Sequence, residues 1–146
     1  MAVNIVWFKR DLRFADHAPL ELALKLDEPT LMIYLIEPTL LRNPHYRGRH
    51  WQFIGQSLED LQHTAEALGH RIEVCEGDAV DVFNEVHRKL GIRRLLSYEE
   101  TGLDLTFQRD QAVAKFCQSA GIEWREFQTN GVERGRRDRK GWNRSW

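Results

Sequence analysis

Lys9, Arg10, Asp11, Arg13 and Asp16 place three cations and two carboxylates within eight residues, directly after the apolar run Ile5-Val6-Trp7-Phe8. Side chains of these types can hold an anion, and the stretch from Lys9 to Asp16 contains no glycine. Neither G-x-G-x-x-G nor G-x-x-x-x-G-K-[ST] follows the run, so a phosphate cradle of backbone amides is not expected here. An equally simple use of Arg10, Asp11, Arg13 and Asp16 is a charge network that pins the loop and caps the helix after it. A second candidate stretch is Tyr98-Glu99-Glu100-Thr101-Gly102. A carboxylate there could accept hydrogen bonds from the ring nitrogens of a heterocycle, or the acids could simply be solvated near a helix N-terminus.

Other chemistry finds little support. The six histidines show neither H-x-x-x-H nor H-x-H spacing and have no paired cysteine, so no metal site is expected. No nucleophile elbow or Ser-His-Asp order is visible among Ser57, Ser97, Ser119 and Ser145, and no catalytic residue is assigned. Cys75 and Cys117 lie far apart, which suits a reducing compartment better than a disulfide framework. There is no apolar run of membrane length and no signal-peptide pattern, so a cytoplasmic protein is the expectation.

The elements that must position these residues are legible. The chain has 146 residues, 42% hydrophobic and 29% charged, with a net charge of −1, as in an ordinary globular domain rather than an electrostatic nucleic-acid binder. Apolar runs predict strands at Val3–Phe8, Thr30–Ile36, His70–Cys75, Arg94–Tyr98 and Ile122–Phe127. Helices are expected near Pro19–Leu26, Arg49–Leu68, Ala79–Leu90 and Leu105–Ala120. In the second, Trp51, Ile54, Leu58, Leu61, Ala65 and Leu68 draw one buried stripe. The third should bury Val82, Phe83, Val86 and Leu90 behind an Asp78 N-cap. Leu68-Gly69, Leu90-Gly91 and Ala120-Gly121 each end a helix before a strand, as a left-handed C′ glycine does. Helix–Gly–strand repeated three times implies βαβ units and an α/β, Rossmann-like, doubly wound parallel sheet of five strands. In such sheets ligands sit beyond the carboxyl ends of the strands, where both candidate stretches fall.

After Phe127 the periodicity stops. Residues 131–146 carry six Arg or Lys (Arg134, Arg136, Arg137, Arg139, Lys140, Arg144) against Glu133 and Asp138, with Trp142 and Trp146 among them. An interdomain linker packing on a further domain explains this composition. Contact with DNA phosphates and stacking of Trp142 on a base explain the same residues.

Several of these segments together resemble the DNA photolyase/cryptochrome family. The opening Ile5 to Arg13 with Asp16-His17 and Pro19-Leu20 is similar to the family's first motif. Leu35-Ile36-Glu37-Pro38 resembles its second strand end, and Arg49 to Leu61 its second helix. Glu99 to Gly102 with Arg109-Asp110 resemble the fourth-strand loop and helix of one branch. Gln128 to Val132 and the Arg-rich end look like the segment leaving the first domain. The family often has Asn where this chain has His17, and Ser97 to Glu100 differ from folate-binding members.

The resemblance implies a strand order of 3-2-1-4-5, a family-like domain over 1–130 and a basic linker over 131–146. It further implies an antenna pigment in this domain (a folate, a deazaflavin or a flavin), held by a cofactor-binding set of Lys9, Arg10, Glu37, Glu99 and Glu100. Lys9 and Arg10 would meet anionic groups, and Glu99 or Glu100 ring hydrogens. FAD, damaged DNA and electron-relay tryptophans would belong to a separate C-terminal helical domain, the partner of this one. The whole protein would then serve light-driven DNA repair or blue-light sensing, with this portion not catalytic by itself. Two other classes stay open: a freestanding nucleotide-binding α/β domain, and a structural module whose antenna cleft is empty.

Overall fold

The computed structural model describes residues 2–9, 11–42, 48–100 and 104–128. In chain order these form β1 (Val3–Phe8), α1 (Ala18–Leu26), β2 (Thr30–Ile36), α2 (Pro38–Leu41), α3 (Gly48–Ala67), β3 (Ile72–Glu76), α4 (Ala79–Leu90), β4 (Ile92–Tyr98), α5 (Asp104–Ala120) and β5 (Glu123–Phe127). All strand pairs are parallel, in the order β3-β2-β1-β4-β5. The expected elements are therefore all present, with ends moved by one or two residues. The short α2, started by Pro38, is an addition that its few residues hid from any periodicity.

Strand alternation divides the core. Ile5 and Trp7 of β1, with Ile33, Leu35 and Leu95, face α4 and α5, where Phe83, Val113 and Cys117 meet them. Val6 and Phe8, with Tyr34 and Leu96, face α1 and α3 and pack on Ala23 and Leu61. β1 is covered on both sides and central, hence its unbroken apolar run. β3 and β5 are edges and are correspondingly half-buried.

Three local expectations need correction. The α3 stripe ends early, because Leu68 lies beyond the helix and is 69% exposed. Leu90, the last residue of α4, is also about half exposed rather than buried. Asp78 stands at the α4 N-cap but makes no capping bond; its Oδ1 accepts instead from the Thr39 hydroxyl at 2.8 Å, tying α2 to α4. Gly69, Gly91 and Gly121 do adopt positive φ (80°, 76° and 74°) after their helices. Among the described residues no helix is long and apolar enough to cross a membrane.

The helices after β1 and β4 diverge, α1 to one face and α5 to the other. The carboxyl ends of these adjacent strands thus flank the crevice where the winding reverses.

Candidate ligand-binding cleft

A cleft of about 300 Å³ opens at this crevice. Trp7 and Phe8 end β1 at its base, Tyr34 and Leu35 come from β2, and Trp51, Ile54 and Ser57 from α3 form the far wall. Its polar side is built from Lys9, Glu37, Glu100 and Arg109. A second hollow of about 370 Å³ lies on the other side of Glu37 and Arg109, bordered by Asp78 and Asp81. The Arg109–Glu37 pair therefore separates two spaces.

Arg109 reaches the cleft because of the buried stripe of α5. Thr106, Asp110, Val113 and Cys117 recur at steps of four, three and four and are all buried, polar toward the strand ends and apolar toward the core. Arg109 binds three carboxylates: Glu37 at 2.7 Å, Glu100 at 3.2 Å and Asp110 at 3.0 Å. Lys9 Nζ donates to Asp110 Oδ2 and to the Tyr98 carbonyl, both at 2.9 Å. Both cations also lie over the Trp7 indole, Lys9 Nζ 4.3 Å and Arg109 Cζ 4.8 Å from the ring centroid. Two cations thus meet three carboxylates in a site where Lys9 is 6% and Asp110 2% exposed.

Burial acts first on the protonation of these groups, and their charge partners second. Burial pushes the Glu37 carboxyl up from the ordinary glutamate value, against the pull of Arg109. Burial lowers the Lys9 ammonium, and Asp110 only partly restores it. Burial also works against the Arg109 charge, but Glu37 and Asp110 outweigh it and raise the guanidinium further.

The β1–α1 loop is held separately. Asp11 accepts the Lys9 amide at 2.9 Å and pairs with the His17 Nε2. Burial opposes the Asp11 charge, yet these bonds leave its carboxyl below the usual range. His17 caps α1, not Asp16, which sits at φ 49° and offers its carbonyl to Arg13 at 3.2 Å.

Of the candidate set, Lys9, Glu37 and Glu100 are brought together at the cleft. Arg10 lies outside the described residues, as do Thr101, Gly102 and residues 129–146. Glu99 does not line the cleft; its amide donates to the Phe127 carbonyl at 2.8 Å, and its Oε2 is buried with no hydrogen-bond partner among the described residues. Lys9 is a cleft residue whose ammonium already has two partners. No local spacing marks Arg109 and Asp110 as site residues, because nothing in the sequence ties α5 to Glu37, 72 residues from Arg109. Trp51, read as core, is half-buried and lines the cleft. Among the described residues no group of three or more His, Cys, Asp or Glu side chains could hold a metal.

This arrangement presents an aromatic slot with an acid-rich polar side, suited to a flat ring bearing N–H donors. Residues 4–133 match the family model described as DNA photolyase. The chain belongs to the DNA photolyase family. It is 32% identical over 120 residues to cryptochrome-2 of Gallus gallus, covering 82% of this chain and 20% of that protein. Cryptochrome-1 of Erithacus rubecula is 30% identical over 124 residues, covering 84% and 20% respectively. The chain thus spans about a fifth of the length of these curated relatives, as an N-terminal photolyase/cryptochrome domain would. Three solved structures have the same fold. The class III photolyase of Agrobacterium tumefaciens superposes with TM-score 0.83 at 24% identity, over 96% of this chain and 28% of that one. The Synechocystis cryptochrome gives 0.80 at 22% identity, over 88% and 27%. The Sulfolobus tokodaii photolyase, described with two FAD molecules that imply a novel light-harvesting cofactor, gives 0.79 at 24% identity, over 97% and 34%.

Proposed function

We propose that this domain binds an antenna pigment in the cleft over Trp7 and passes excitation energy to FAD held elsewhere in a longer flavoprotein. The observation that carries the reading is the cleft itself: aromatic walls of Trp7, Tyr34 and Trp51 beside the Glu37–Arg109–Glu100 group. Energy transfer asks of a protein only rigid placement of the ring and exclusion of water, not acid–base catalysis. Glu37 and Glu100 are the acceptors for ring N–H groups, and Trp51 is the stacking surface. Lys9 acts through its charge and by holding the strand ends, since its ammonium is bonded to the protein. Arg10 is the candidate contact for an anionic tail, and residues 131–146 the connection to a helical FAD domain. That the Sulfolobus tokodaii photolyase carries a second FAD makes a flavin-type ring the first pigment to try.

The test is the near-UV and visible spectrum of the protein expressed from its longest reading frame. A second chromophore besides one FAD, lost on Trp51→Ala, is the expected result. One flavin alone after reconstitution with flavin, deazaflavin and folate would overturn the reading. Repair and light sensing are then separated by exposing a cyclobutane-dimer oligonucleotide to blue light in its presence.

A further inference from the structure

The second hollow, of about 370 Å³, is an apolar groove with an acidic rim. Leu40 of α2, Val80 of α4 and Leu105 of α5 form its floor, each only partly buried. Asp78 and Asp81 stand exposed beside them. The dipole of α4 favours both aspartates at its N-terminus, but it does not call for an uncovered apolar floor. Several other surface acids find cations: Glu85 holds Arg88 and Lys89, and Glu28 and Glu123 share Arg94. Among the described residues Asp78 and Asp81 have no cation, and Asp78 bonds only the Thr39 hydroxyl, at 2.8 Å. Arg109, which also lines the hollow, is already held by Glu37, Glu100 and Asp110. Negative charge thus surrounds carbon, and no described residue offsets the one or covers the other.

Residues 131–146 have the opposite character, with six Arg or Lys against two acids. Trp142 has Arg139 and Lys140 just before it and Arg144 just after. An indole set among cations is the complement of an apolar floor set among carboxylates. A tryptophan buries about 150–250 Å², so Trp142 is a far better anchor than Val132. The reach is sufficient. Gln128 follows β5 at the sheet edge where Glu37 follows β2, and the two strands are three spacings apart, about 14 Å. From Gln128 to Trp142 an extended chain spans about 46 Å, enough to cross the strand ends and the start of α5.

We propose that residues 139–144 of this chain dock in the groove between α2, α4 and α5. The Trp142 indole lies on Leu40, Val80 and Leu105, and the charges of Arg139, Lys140 and Arg144 meet Asp78 and Asp81. So seated, the segment covers the outer side of the Arg109–Glu37 pair, whose inner side faces the cleft. It also moves the point from which any following segment departs, from the end of β5 to the start of α4. The docking rests on the shape and charge of the groove and holds with or without a pigment in the cleft.

The test is NMR on the ¹⁵N,¹³C-labelled 146-residue chain at low salt, where exposed charges are least screened. The expected results are NOEs from the Trp142 ring to the Val80 and Leu105 methyl groups, and an order parameter of about 0.85 for the Trp142 backbone amide. In the Asp78→Asn/Asp81→Asn double variant the NOEs are lost and that order parameter falls below about 0.6. Trp142→Ala, which alters no described residue, shifts the Val80 and Leu105 resonances and leaves those of Val6 and Leu96 in the central strands. A mobile Trp142 without these NOEs, NOEs to another face, or the same order in the double variant would each overturn the docking. So would NOEs that grow with protein concentration, marking a second copy, or a Trp142 that becomes ordered only when duplex DNA is added. If the double variant does not fold, Trp142→Ala decides.

Discussion

Asp110 matters more to this molecule than its place within a helix suggests. It neutralises Lys9 directly and shares Arg109 with Glu37 and Glu100. Asp110→Asn keeps the shape but leaves a buried ammonium without its carboxylate. Breaking such a pair costs about 3–5 kcal/mol, which urea unfolding at pH 7 should show. Glu37 behaves oppositely. Burial raises its carboxyl above the ordinary value of 4.5, so the folded state holds that proton more tightly than the unfolded chain. Its contribution is fully present below pH 4.5 and is lost as pH rises through the raised folded value. Glu37→Gln, which removes one of three carboxylates facing two cations, should therefore gain stability relative to the unmodified protein between pH 4 and pH 7. Paired urea titrations at the two pH values measure this; a constant difference would refute it. Asn4 is a simpler case: it is buried in β1, and neither amide atom has a hydrogen-bond partner among the described residues. Asn4→Leu should raise stability by roughly 1–2 kcal/mol, because two unsatisfied polar atoms are replaced by carbon. A fall in the melting temperature would refute it.

At the scale of elements, glycine shows how one residue type can mean opposite things. Gly77, between β3 and α4, has φ 147°, and a Cβ there would lie 2.9 Å from Val82 Cγ2. Gly55 lies within α3 with open space around it. Gly77→Ala should cost about 1–3 kcal/mol from backbone strain, while Gly55→Ala should add about 0.5–1 kcal/mol from helix propensity. Thermal melts of the two variants must move in opposite directions. Strands and helices were legible because burial on both faces forces continuous apolar runs and burial on one face forces the α3 stripe. Caps were less so. Asp16 and Asp78 look like N-caps by residue type, yet His17 caps α1, and the Asp78 carboxylate bonds Thr39 instead of an α4 amide. Their partners come from the loop and from α2, which local spacing does not display.

For the whole molecule, every described residue lining the cleft belongs to this one α/β unit. The 146-residue chain by itself should therefore bind a flavin-type ring, with riboflavin quenching the fluorescence of Trp7 and Trp51. Arg109→Met should weaken that binding at least tenfold, and a titration without saturable quenching in the unmodified chain would count against the cleft as the pigment site. The chain's succession of strands and helices and the residue types at its strand ends are decided by the sequence, because hydrophobic period and glycine stops act between near neighbours. So, through motifs spread along the chain, is its family. What the tertiary structure alone decided is which charges meet. Lys9, Glu37 and the pair Glu100 and Arg109 lie on three different crossovers, and only winding α5 back over the end of β1 puts them within 3.2 Å of their partners. That contact turns Lys9 from a free anion anchor into a bonded support, and it leaves Glu99, its sequence neighbour's equal by composition, outside the cleft. Adjacent residues leaving a strand point to opposite sides, and which side holds the ligand is a fact of packing, not of spacing.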